Sequence, residues 1–211
     1  MSELLDHVYV TGGTGCIGSA TVHQLLELGA KKVTVASRSG ASGSLSLWRS
    51  ELDDPRLDFV SLDLGDREAV LGAVSQAAPS AIVHLGALQS PDCQNNPELG
   101  LAINVGGTLH VLDAAERAGS VRRVVNASSA AVYGLRDRYP GDTVPESAEL
   151  APPNLYGVWK VAGEKLALQF AERTGVSTVS LRLNTTYGPG RDRGMTAAVT
   201  HAMRAVVAGE P

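Results

Sequence analysis

Short apolar runs alternate with helical periodicity along the whole of this 211-residue chain. Residues 7–11, 32–36, 57–62, 81–85, 121–126 and 176–183 read as strands, rich in Val, Ile and Leu. Apolar positions at helical spacing predict helices over 17–28, 66–77, 97–118, 153–174 and 195–208, the first stopping at Gly29. Strand–helix alternation of this kind implies right-handed βαβ units and an α/β, doubly wound parallel sheet. The Ser/Gly-rich piece 37–44 is expected to be a loop, as is 134–153 with Pro140, Pro145, Pro152 and Pro153. The second loop is long enough to suggest function. No internal repeat interrupts the pattern, and 1–211 reads as one domain.

Composition narrows this picture. Hydrophobic residues make up 44% but aromatics only 4%, so the core must be Val, Leu and Ala, as suits a sheet buried between helices. Eighteen basic and 22 acidic residues are scattered, which argues against a nucleic-acid partner. Cys16 and Cys93 are too few and too dispersed for a disulfide framework or a metal cluster, and no metal is expected. The acidic opening lacks a signal-peptide pattern, and no stretch approaches the ~18 apolar residues of a membrane span. A cytoplasmic protein without a membrane partner is the expectation.

The chemistry begins at Thr11-Gly12-Gly13-Thr14-Gly15-Cys16-Ile17-Gly18, between the first strand and the first helix. Gly12, Gly15 and Gly18 are spaced to allow a tight turn, close approach to a pyrophosphate and helix–strand packing, as in a Rossmann fold. Free N–H groups at the helix start would face the phosphates. The end of the second strand, Val35-Ala36-Ser37-Arg38-Ser39, carries no carboxylate for a ribose. Ser37 and Arg38 suit a 2′-phosphate instead, so NADP is favoured over NAD.

Further along, Tyr156 and Lys160 stand four apart on a predicted helix and share a face. An ammonium beside a phenol favours the phenolate. The fifth strand runs into Asn126-Ala127-Ser128-Ser129, whose carboxyl end should place Ser128 and Ser129 at the ligand crevice.

With these pieces together the chain resembles an extended short-chain dehydrogenase/reductase of the NAD(P)-dependent epimerase/dehydratase family. The resemblance rests on 11–18, Leu62-Asp63-Leu64, His84-Leu85-Gly86-Ala87, Asn104-Val105-Gly106-Gly107-Thr108, Ser128 through Gly134, Tyr156 with Lys160, and Arg182 through Tyr187-Gly188-Pro189-Gly190. It implies that Tyr156 is the general acid or base, that Lys160 holds the nicotinamide ribose and lowers the Tyr156 pKa, and that Ser129 stabilises the reacting oxygen. It further implies cofactor contacts from Gly12, Gly15, Cys16, Ile17, Gly18, Ser37, Arg38, Asp63, Leu64, Leu85, Gly86, Ala87 and Asn104. Asn184, Thr185 and Arg191 would meet a small-molecule substrate, a sugar nucleotide or another hydroxy/carbonyl compound. The apolar faces around Leu101-Leu109-Leu112 and Val158-Ala162-Leu166 belong to helices that pair across a homodimer in the family; as core they need no partner.

Several positions depart from the family pattern. Ala130 and Ala131 stand where dehydratases carry Asp-Glu, so 4,6-dehydration is not expected. Trp159 precedes the lysine where Ser is usual, Gly86 replaces Ala, and Thr185 stands where many sugar-nucleotide epimerases have Asn. The chain ends where the family would turn into its C-terminal substrate lobe, which is therefore expected to be largely absent. Cys16 is read as a small residue tolerated in the phosphate turn and His84 as a strand-end residue beside the cofactor. The reading from another class is a non-catalytic dinucleotide-binding module, a redox sensor or scaffold subunit, against which an intact Ser129, Tyr156 and Lys160 argue.

Overall fold

Register across the sheet explains where the core sits. In a computed structural model, which describes residues 2–40, 43–49, 52–194 and 196–209, six strands run parallel: β1 (Val8–Thr11), β2 (Val33–Ser37), β3 (Leu57–Ser61), β4 (Ala81–His84), β5 (Arg123–Ser129) and β6 (Ser177–Leu183). Their order is β3-β2-β1-β4-β5-β6, the arrangement with a reversal between β1 and β4 where ligand crevices form. One row of facing residues crosses all six: Phe59, Val35, Val10, Val83, Val125, Val179. Val35 and Val10 are fully buried, while Val179 on the edge strand is 39% exposed and Leu181 beside it 46%.

The gradient follows from which helices cover which face. α1 (Cys16–Glu27) and a 3-10 turn over Gly43–Leu47 pack on one face through Val22, Leu26 and Leu45 against Val8, Val10, Val33 and Val35. The other face takes α2 (Arg67–Ala77), α5 (Gly107–Ala118) and α6 (Leu155–Thr174), whose Val70, Val74, Val111, Leu112 and Phe170 meet Tyr9, Ile82 and Val124. Alternation along β1 splits Val8 and Val10 from Tyr9 accordingly.

Two differences from the predicted elements have physical causes. Strand β5 runs on to Ser129 because Ala127, Ser128 and Ser129 pair with Leu181, Arg182 and Leu183; cross-strand partners override the weak strand preference of Ala and Ser. The helix expected over 97–118 is instead α4 (Pro97–Leu101), a π-type turn over Ala102–Gly106, and α5. A separate short helix, α3 (Ser90–Asn95), precedes it. The last helix, α7, spans Ala197–Ala208; of the expected 195–208 and 37–44 segments, Met195, Ala41 and Ser42 lie outside the described residues, as do Glu210 and Pro211. Among the described residues no helix is long and apolar enough to cross a membrane.

Candidate active site

A cleft of about 1350 Å³ opens at the carboxyl ends of the strands, over the β1/β4 reversal. Gly12, Gly15, Cys16, Ile17, Gly18, Ser37, Arg38, Asp63, Leu64, Leu85, Gly86, Ala87, Ser129, Tyr156, Lys160, Asn184, Thr185 and Arg191 all line it. The glycines of the first loop serve different ends. Gly12 has φ +66°, and a Cβ there would come within 2.8 Å of Gly86 N. At Gly18 a Cβ would stand 2.1 Å from the Gly12 carbonyl, so the start of α1 could not rest on the loop. Gly15 is neither left-handed nor crowded, its nearest neighbour to a Cβ being Gly12 O at 3.4 Å. A side chain there would occupy the cleft, so this glycine leaves room for a ligand rather than for the protein. Gly86 in turn is required by Leu64, whose Cδ1 would meet a Cβ at 2.5 Å.

His84 braces the floor. Its Nδ1 lies 2.7 Å from Thr11 Oγ1 and its Nε2 3.1 Å from Thr108 Oγ1, and Thr108 donates to Asn104 O. Thr11 Oγ1 also accepts from the N–H groups of Leu85 and Gly86. These bonds are satisfied by a neutral imidazole protonated on Nε2, with Thr11 donating to Nδ1. Complete burial pushes the His84 pKa down to about 3, so the ring stays neutral.

Asn104 does not line the cleft, contrary to the expected cofactor contact. The wide turn at 102–106 directs it inward, where Oδ1 accepts from Leu88 N at 2.8 Å and Nδ2 donates to Leu88 O and to the Cys93 sulfur. Its work is to hold the segment after β4 in place. Ser128 lines the cleft as expected, and its hydroxyl donates to Glu164 on α6.

Helix α6 brings the reactive groups to the sheet. Asn154 caps it by accepting from Gly157 N at 2.9 Å. Gly157 lets its first turn lie against the 3-10 turn Ala130–Val132, since a Cβ would stand 2.2 Å from Ala131 O. Tyr156 thereby comes to Ser129, whose Oγ accepts from Ala131 N and keeps its proton to donate. Lys160 Nζ donates to Ala127 O at 2.6 Å and lies 5.6 Å from the Tyr156 ring centroid. Burial pushes the Tyr156 phenol up, with Ser129 acting in the opposite sense; the downward shift expected from Lys160 does not prevail. Burial also pushes Lys160 down to about 8.

Trp159, unusual beside the lysine, packs on α4, where a Cβ at Gly100 would lie 2.3 Å from its ring. Arg191 reaches into the cleft from the loop after β6, held by Thr186 O at 3.2 Å and Thr186 Oγ1 at 3.0 Å. Cys16 donates to Pro189 O at 3.5 Å, and burial raises its thiol pKa, so the helix start does not activate it. Asn154, Gly157, Glu164 and the inward role of Asn104 are absent from the sequence reading. Asn-x-x-Gly as a cap was the legible signal among them; the others depend on partners distant in sequence. Among the described residues no group of His, Cys, Asp or Glu is placed to hold a metal.

The strand order and the glycine loop are those of a nucleotide-binding Rossmann domain. The chain belongs to the NAD dependent epimerase/dehydratase family, whose profile matches residues 8–211, within the extended short-chain dehydrogenase/reductases. It is 32% identical over 183 residues to a probable UDP-arabinose 4-epimerase of Arabidopsis thaliana, covering 85% of this chain and 44% of that protein. With a UDP-glucose 4-epimerase of Mycolicibacterium smegmatis identity is 31% over 203 residues, covering 95% and 63%. A crystal structure of the Thermus thermophilus UDP-glucose 4-epimerase with NAD superposes with a TM-score of 0.78 at 29% identity, covering 97% of this chain and 64% of that one. The chain thus spans roughly half to two thirds of the length of these relatives.

Proposed function

We propose that this domain binds a nicotinamide dinucleotide along the glycine loop and serves an epimerase or reductase that acts by hydride transfer on a sugar nucleotide or a related hydroxy/carbonyl substrate. The observation that carries this reading is the meeting of Ser129, Tyr156 and Lys160 at the end of β5, on the wall of the cleft whose floor is Gly12, Gly15 and Gly18. The open side of Gly15 and the spare donors of Lys160, which spends one bond on Ala127, fit a phosphate-bearing cofactor with a diol.

The cofactor, when bound, supplies the hydride acceptor and donor. Tyr156 moves the proton of the substrate hydroxyl or carbonyl, Ser129 donates to the same oxygen, and Lys160 holds the ribose and keeps positive charge beside the phenol. Asn184, Thr185 and Arg191 orient the substrate from the far wall. Asp63, Leu64, Leu85 and Ala87 flank the adenine half. Ala130 and Ala131 offer no carboxylate for water elimination, so epimerisation or reduction is preferred over dehydration.

NADP is the favoured cofactor: Arg38 is exposed at the rim beside Ser37, and β2 ends without a carboxylate. The alternative is NAD, which the Thermus relative carries in its crystal structure. A homodimer through α5 and α6 belongs to the same proposal, because Leu109 and Val158 are 50% and 45% exposed; Leu112 belongs to the core. Calorimetric titration with NADH and NADPH, followed by NMR of UDP-sugars incubated with the protein, tests the function. Failure to bind either dinucleotide would sink it.

A further inference from the structure

One turn beyond Lys160 on α6 stands Glu164, at the spacing where opposite charges on a helix meet. Among the described residues no ion pair joins them. Lys160 Nζ turns to Ala127 O, while Glu164 accepts the Ser128 hydroxyl and two bonds from Arg182, Nε to Oε1 and Nη2 to Oε2, each 2.9 Å. Arg182 lies opposite Ser128 in the β5–β6 register. Its Nη1 goes on to the Tyr133 hydroxyl at 2.6 Å and to Glu146 O at 2.7 Å. The Glu164 side chain is 10% exposed and that of Arg182 22%. A carboxylate so withdrawn from water cannot be left without a cation. Lys165 also acts on Glu164 and helps hold its pKa down, but its side chain is exposed, so solvent screens that charge. Lys160 is the buried cation within helical reach.

We propose that Arg182 is a positioning residue: by gripping both oxygens of Glu164 it keeps this carboxylate out of an ion pair with Lys160 and leaves the ammonium aimed at the cleft. The inference rests on reading Lys160 as the lysine that holds the cofactor and serves Tyr156. Groups facing Lys160 are Tyr156 from α6, His84 from β4 and Cys93 from α3, with the Ala127 carbonyl from β5, and Glu164 stands one turn further along α6. His84 is neutral, and burial raises both the Cys93 thiol and the Tyr156 phenol. Glu164 is the one anion of this set at neutral pH, so a rise in the lysine's titration midpoint on losing Arg182 reports its capture.

Trace acetylation of Lys160 with acetic anhydride across pH, read by peptide mass spectrometry on the full chain, measures that midpoint without substrate or cofactor. The wild-type midpoint is expected near 8. Arg182→Gln, which can hydrogen-bond Glu164 but not neutralise it, should raise the midpoint by about one unit or more. Arg182→Lys and the double variant Arg182→Gln/Glu164→Gln should both return it to the wild-type value. A general loss of structure would move all three alike. An unchanged midpoint in Arg182→Gln, or an equal shift in the other two, overturns the proposal. Should Arg182→Gln not fold, Arg182→Met takes its place with the same expected rise, and an unchanged midpoint in that variant rejects the assignment. Absence of NADH and NADPH binding by the wild type would remove the cofactor reading alone, leaving the midpoints to judge Arg182.

Discussion

Lys160 gives its ammonium to the carbonyl of Ala127, 2.6 Å away on β5, and so ties α6 to the strand that carries Ser129. The bond is made in a buried place, which holds the lysine pKa at about 8 against an ordinary 10.5. Below pH 8 both folded and unfolded chains carry this charge, and the folded one bears the full penalty of burying it. Between 8 and 10.5 the folded chain has released the proton and the unfolded chain has not, so stability rises with pH there. Lys160→Met removes the penalty, worth roughly 3 kcal/mol at most. Its Tm should exceed that of wild type most below pH 8 and converge towards pH 10.5. Parallel pH–Tm curves for the two proteins would contradict the burial of this lysine.

Tyr156→Phe keeps the aromatic ring and removes the hydroxyl proposed to transfer the proton. Turnover should fall by on the order of 100- to 10,000-fold, with dinucleotide affinity nearly unchanged. Steady-state kinetics beside calorimetry separates the two effects. Surviving turnover would assign the proton transfer elsewhere.

His84 supplies a second pH-dependent element. With a folded pKa of about 3 and an ordinary value of 6.5, it is neutral when folded and takes a proton on unfolding at mildly acid pH. Its stabilising contribution is present above pH 6.5 and is lost progressively as pH falls towards 3, by up to about 1.4 kcal/mol per pH unit. His84→Gln, which can still bond Thr11 and Thr108, should be less stable at pH 7 and decline less steeply below 6.5. Chemical denaturation at several pH values measures both effects. Equal acid slopes would mean that this ring does not stay neutral.

Arg38→Ala tests the cofactor preference. Loss of a charge-assisted contact to a 2′-phosphate should weaken NADPH at least roughly tenfold while leaving NADH nearly unaffected. Calorimetry with both dinucleotides provides the ratio, and an equal loss for both would reject NADP.

Gly100 and Trp159 should behave as one unit. Gly100→Ala drives a methyl group into the indole and is expected to destabilise by about 1–3 kcal/mol. Combining it with Trp159→Leu should cost less than the two single changes together, because the ring that clashes has gone. Urea unfolding of the four proteins gives the coupling; strict additivity would mean that the contact is not tight.

How much of this was legible depends on the range of the interactions involved. Strands β1, β2 and β4 announce themselves because burial on both faces favours short runs of apolar and β-branched residues, as in Val8-Tyr9-Val10-Thr11 and Val33-Thr34-Val35-Ala36. The cleft lining was readable from local chemistry: a glycine loop after a strand, a Tyr and Lys on one helix face, a Ser at a strand end. Asn104 misled because its inward turn depends on the π-type geometry at 102–106, which no local pattern marks. Glu164 was passed over for a different reason. Its meaning lies in Arg182, which reaches it only once β6 pairs with β5. The odd residues Gly86 and Trp159 looked like departures one at a time, yet each has a complementary neighbour, Leu64 and Gly100.

The second of these pairs gives the protein an optical handle. The chain has two tryptophans; one, Trp48, stacks on His23 of α1, and the other immediately precedes Lys160. The Trp159 indole bears on α4 just ahead of the wide turn that carries Asn104. Any sliding of α4 over α6 therefore changes the surroundings of that ring. With Trp48 replaced by Phe, emission from a single native fluorophore would follow movement at the lysine's own turn, with no label attached near the cleft.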